Sequence, residues 1–154
     1  MERNDLINSA KKLQQVGVKA AEEFGAKTDL LVNLMNRKME SRPDLLDLVG
    51  VNNVDMMKDN HANHVRFMES IFNQNSPEVL TDTVLWVFRA YRSRNFSSTY
   101  WAAQLNTWIE IFKKELTTES FQEIYPYYFW MQVNIPTFNQ LAEENLEAPS
   151  SAHK

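Results

Sequence analysis

With 154 residues, 44% of them hydrophobic and 23% charged, the chain is the size of one domain and has enough apolar material to fold around its own core. The net charge of −4 offers no basic surface for nucleic acid. The lack of cysteine excludes disulfides, thiolate metal sites, iron–sulfur clusters and thioether-linked chromophores. Three glycines and five prolines provide too few tight turns for a sandwich or barrel, while nine Phe, five Tyr and four Trp give a large aromatic payload.

The sequence begins Met1-Glu2-Arg3-Asn4-Asp5 with no apolar run behind it. Its densest apolar stretch, Val84 to Phe88, is too short to span a bilayer, so neither a secretory leader nor a membrane span is expected and the cytoplasm is the expected location. Apolar residues recur every three or four positions, which predicts amphipathic helices almost throughout. A first helix is expected over 4–24 on the stripe Leu6, Ala10, Leu13, Gly17, Ala21 and Phe24, closed by Gly25 as a C-terminal glycine. Thr28 then caps a second helix carrying Leu30, Leu31, Leu34 and Met35, and a short element runs from Pro43 to Gly50.

A long helix is expected over 53–73, capped by Asn52 or Asn53. Ser76-Pro77-Glu78 opens the next, which runs to about Arg94. Beyond a polar joint at 95–99, Trp101, Leu105, Trp108 and Phe112 share one helical face. Thr117 or Thr118 opens the last segment, which Pro126 and Pro136 must kink or cut. The expected fold is all-α: a single domain over 1–146, globin-like or an irregular bundle of about seven helices, with a disordered polar tail at 147–154.

Three constellations carry candidate chemistry. In Val54 to Phe72, His61 and His64 fall on the apolar stripe one turn apart, a spacing that suits a shared ligand or metal. It also suits core-edge histidines hydrogen-bonded to carbonyls or to Asn60 and Asn63, the commoner arrangement for polar groups that face a core. The carboxylates that might complete a metal site, Asp82, Glu110 and Glu115, lie mostly off their helices' apolar stripes, so no metal site is assigned. In Trp86 to Phe96, Arg89 and Arg92 lie one turn apart beside aromatic surface. That pattern fits a carboxylate or phosphate on a flat apolar body, such as a porphyrin or bilin propionate, or cations snorkelling over rings to neighbouring acids. The run Tyr125 to Trp130 carries more rings than one helical side can bury, pointing to a surrounded helix or to rings exposed to a partner, with a homodimer interface expected and a pocket wall as the alternative. No phosphate loop, zinc-protease motif, nucleophile elbow or triad is present, so no catalytic residue is assigned and an enzyme is not expected.

Three stretches, Asn60 to Met68, Leu85 to Tyr91, and Tyr100-Trp101 with Ala103 to Trp108, resemble helical modules of bacterial signalling proteins, some of which lie beside cobalamin-binding domains. In length and helix count the chain is also similar to globin-like sensor domains of stress regulators, which dimerise and need no haem. The resemblance implies a cytoplasmic homodimer that senses a small molecule in its core or engages a regulatory protein. The expected ligand-contacting groups are His61, His64, Arg89 and Arg92, walled by Trp86, Tyr91, Trp101 and Trp108. The alternatives are a protein binding haem, another non-covalent tetrapyrrole or a metal through His61 or His64, and a ligand-free interaction adaptor. Against haem stands the absence of any histidine between His64 and His153 to serve as a proximal ligand.

Overall fold

A computed structural model describes the backbone of residues 2–147 and the side chains of 2–144. Among the described residues all regular structure is helical. The elements are α1 (Arg3–Ala10), α2 (Val18–Ala26), α3 (Thr28–Glu40), α4 (Leu45–Val49), α5 (Val54–Asn73), α6 (Pro77–Arg92), α7 (Tyr100–Glu115), α8 (Thr118–Val133) and α9 (Ile135–Glu147). Nine helices replace the expected seven or so because the first and last predicted segments each divide. The expected tail loses Glu147 to α9, and the rest of it, 148–154, lies outside the described residues.

The stripe over 4–24 does not form one helix. Between α1 and α2 the chain bonds sideways instead of along itself: Tyr127 Oη donates to the Gln14 carbonyl (2.7 Å), Gln15 Nε2 donates to the Phe72 carbonyl (2.7 Å), and the Gly17 N–H donates to Glu123 Oε1 (2.7 Å). The first and last of these satisfy backbone groups that a continuous helix would pair internally, and the second satisfies a carbonyl in the last turn of α5. Gly25 sits within α2 rather than beyond its end. A Cβ there would meet the end of the flexible Glu69 side chain of α5.

Other termini follow their local chemistry. Ser76 Oγ accepts from the Val79 N–H ahead of Pro77, and Thr117 Oγ1 accepts from the Ser120 N–H. Asn53 stands at the start of α5, but its amide does not cap the helix. Asn53 Nδ2 donates to the carbonyls of Val49 and Arg94, both at 2.8 Å, and so joins the α4–α5 turn to the α6–α7 turn. Gly50, at φ +89°, makes that turn possible. Pro126 lies inside a continuous α8. It and Gln122, whose carbonyl it leaves unpaired, both face solvent, where water satisfies the freed group. Pro136 falls in the first turn of α9, where no helical N–H bond is lost.

In the packed structure α6 lies against α1 and α9, α3 against α5 and α7, and α8 against α2 and α7. One continuous core runs through all nine helices, with Phe24, Phe72, Tyr100, Trp108, Phe112, Tyr127, Tyr128 and Phe138 fully enclosed. Each such side chain contributes about 1.5–3 kcal/mol through removal of apolar surface from water. No helix among the described residues is long and apolar enough to cross a membrane.

Candidate functional site

The helical pitch of α5 turns its two imidazoles toward different neighbours. His61 is fully buried facing α3: its Nδ1 donates to Asn36 Oδ1 (2.7 Å), and its Nε2 lies 3.5 Å from the Tyr100 hydroxyl. His64 shares a 2.6 Å hydrogen bond through Nε2 with the buried Tyr128 hydroxyl of α8, and its ring stacks on Trp108 at 5.3 Å. Both rings therefore look into the protein. Burial, and for His61 the neighbouring His64 as well, lowers each imidazole from 6.5 to about 3, so both are neutral at neutral pH. Trp108 continues the stack onto Phe112 at 5.4 Å.

Beside His64 lies a cavity of about 250 Å³ between α5, α6, α7 and α8. From α5 it receives Asn60, Asn63, His64, Phe67 and Met68, and from α6 Thr83, Val84, Trp86, Val87, Phe88 and Tyr91. Trp101, Gln104 and Leu105 of α7 and Met131 of α8 complete the wall. Phe88 and Trp101, stacked face to face with centroids 4.5 Å apart, belong to its apolar lining, while the half-exposed Trp86 stands at the rim. No Asp, Glu, Lys or Arg lines the cavity.

Of the eight residues expected at a ligand, His64, Trp86, Tyr91 and Trp101 meet at this cavity, and the other four do not line it. His61 is turned to α3, and Trp108 lies behind His64. Arg89 and Arg92 occupy the neighbouring face of α6, together with Asp82, toward α1 and α9. Arg92 pairs with Glu143 of α9 at 3.5 Å. Burial lowers the Arg89 guanidinium against the pull of Asp82, which itself holds Arg3. The arginines are close to the aromatics in sequence, but about 100° of rotation per residue divides them between two faces of α6.

Sequence reasoning passed over the polar centre of the site. Asn60 and Gln104 are 4% and 2% exposed, and Asn60 Oδ1 accepts from Gln104 Nε2 and from the Tyr100 hydroxyl (3.0 Å). Gln104 Nε2 also donates to the Tyr100 oxygen (3.3 Å). The signal was present in the sequence: each amide falls on an otherwise apolar, inward stripe, where a polar group must have a defined partner.

A tetrapyrrole does not fit this site. The volume is below the range of about 300–1,000 Å³ usual even for drug-sized ligands, and the arginines that would meet propionates lie on another face. Among the described residues no group of three or more His, Asp or Glu is placed to hold a metal ion. The fold and site thus define a helical protein with a small, uncharged, mostly apolar cavity among α5, α6, α7 and α8. Comparison of the chain with protein-family models, curated proteins and solved structures finds no match in any of the three.

Proposed function

We propose that this chain is a non-enzymatic sensory or regulatory module of the cytoplasm, binding a small, largely apolar molecule in the cavity beside His64 and acting as a homodimer. One observation carries the reading: an aromatic cavity that contains neutral polar groups and no charge. Catalysis by acid, base or nucleophile needs a group poised to exchange a proton or attack, whereas recognition needs shape, apolar area and a few fixed hydrogen bonds. The cavity has the second set of features. The haem and metal alternatives have less support, since the nitrogens His61 Nδ1 and His64 Nε2 are already held by Asn36 and Tyr128.

Native mass spectrometry of freshly purified protein, together with an absorption spectrum, tests the reading. The expected spectrum contains a species of twice the 18.0 kDa chain mass, with a low-mass adduct lost on collisional activation and no Soret band. A Soret band that disappears in His64→Ala would favour haem instead.

The dimer has a separate observation behind it. Phe121, Tyr125, Phe129 and Val133 recur every four residues on α8, with neighbouring rings 5.5 and 6.1 Å apart. Phe129 and Val133 are each more than half exposed. A contiguous apolar stripe of this kind suits a symmetric helix-to-helix contact between two copies, whether or not the cavity takes a ligand.

A further inference from the structure

The buried amides beside His64 are already paired, and the pairing determines what they have left to offer. Asn60 Oδ1 has two donors, the Gln104 amide and the Tyr100 hydroxyl, and Gln104 Nε2 donates to the same two groups. Asn60 Nδ2 and Gln104 Oε1 remain. Neither has a hydrogen-bond partner among the described residues beyond the nearby Tyr91 hydroxyl, which lies close enough to Asn60 to be affected by it. Neither is among the fully enclosed polar atoms that lack a partner. Both residues line the cavity, so the spare donor and the spare acceptor open onto it side by side. A concerted flip of both amides would exchange donor for acceptor and still leave one of each.

Resting on the ligand-binding reading above, we infer that the cavity selects a neutral planar molecule carrying a hydrogen-bond acceptor beside an N–H donor, as on the edge of a lactam or a nucleobase-like ring. The acceptor meets Asn60 Nδ2 and the donor meets Gln104 Oε1. The rest of the ring packs against the apolar lining, with the rim residue Trp86 beside it. Several features converge on this class. The lining has no charge to meet an ionic ligand, and apart from the Tyr91 hydroxyl beside Asn60 the two amide atoms have only water to turn to when the cavity holds no ligand. A molecule reproducing both bonds can displace that water without loss, and a pure hydrocarbon cannot. The volume of about 250 Å³ accommodates a fused bicyclic ring and little more.

Three probes of nearly equal size separate the possibilities: oxindole, which has the lactam edge; 1-methyloxindole, which lacks the donor; and indane, which lacks both groups. Binding is followed on the full chain through the indole N–H signals of Trp86 and Trp101 and the side-chain amides of Asn60 and Gln104. Oxindole is expected to bind roughly tenfold or more tightly than indane, with 1-methyloxindole weaker than oxindole. In Gln104→Leu that preference should disappear while indane still binds. If indane equals or outbinds oxindole in the wild-type protein, the inference is overturned and the cavity is a purely apolar one, with the ligand-binding reading intact. If none of the three moves the Trp86 and Trp101 signals at millimolar concentration, both the inference and that reading fall.

Discussion

His61 and His64 are neutral because burial strips an imidazolium of most of its solvation, and this makes folding sensitive to mild acid. Their folded values of about 3 lie below the ordinary 6.5, so between these limits the unfolded chain takes up protons that the folded chain refuses. Their contribution is complete above pH 6.5, is lost progressively as pH falls, and levels off near 3. At pH 5 the fully buried His61 alone should cost roughly 2 kcal/mol relative to pH 7. Glu23 acts lower on the scale. Burial would raise its carboxyl, but Lys27, Ser120 and Thr117 outweigh burial and bring it to about 2, so its stabilisation fades only below about 4.5. Urea unfolding at pH 7 and pH 5 checks the assignment: the midpoint should drop at pH 5, and His61→Gln should flatten the dependence. Equal midpoints for the wild type would show that the imidazoles are not held neutral. The inward placement of both histidines was legible from the stripe, but the pattern could not show that one faces α3 and the other the cavity, because their partners Asn36 and Tyr128 come from distant segments.

Helix boundaries were legible where a short stretch carries its own capping chemistry. Ser76-Pro77-Glu78 and Thr117 begin helices for reasons contained within four residues. The break between α1 and α2 was not legible, because Gln14, Gln15 and Gly17 find partners on α5 and α8 that no local pattern reveals. Asn53 shows the same limit from the other side: it stands at the expected boundary, yet its amide joins two turns that are far apart in sequence. Replacing Asn53 by Ala removes two hydrogen bonds to backbone carbonyls. The thermal midpoint should fall by the equivalent of about 1–2 kcal/mol, with faster exchange of the Ser97 N–H that bonds to the Leu48 carbonyl. An unchanged midpoint and unchanged Ser97 exchange would mean the turns hold together without it.

At the scale of the whole molecule, the proposed dimer depends on the outer face of α8. Tyr127, Tyr128 and Trp130 of the aromatic run are buried, while Phe129, with Val133 one turn on, stays at the surface of α8. Light scattering across a concentration series should give a dimer for the wild type and a monomer for Phe129→Glu, with helical content unchanged by circular dichroism. A wild type that remains monomeric at high concentration would remove the dimer from the proposal and leave the cavity unaffected, since its walls come from α5, α6, α7 and α8 of one chain.

By itself the sequence determined the all-helical class, most helix starts, and the inward direction of the aromatic and histidine stripes. All of these follow from the 3.6-residue period and from caps that act within one turn. Only the tertiary structure decided which inward residues meet. It separated Arg89 and Arg92 from the cavity, divided the two imidazoles, and brought Asn60 of α5 to Gln104 of α7. A helical period gives the direction in which a side chain points, but not what stands opposite, which depends on how distant helices pack to exclude water.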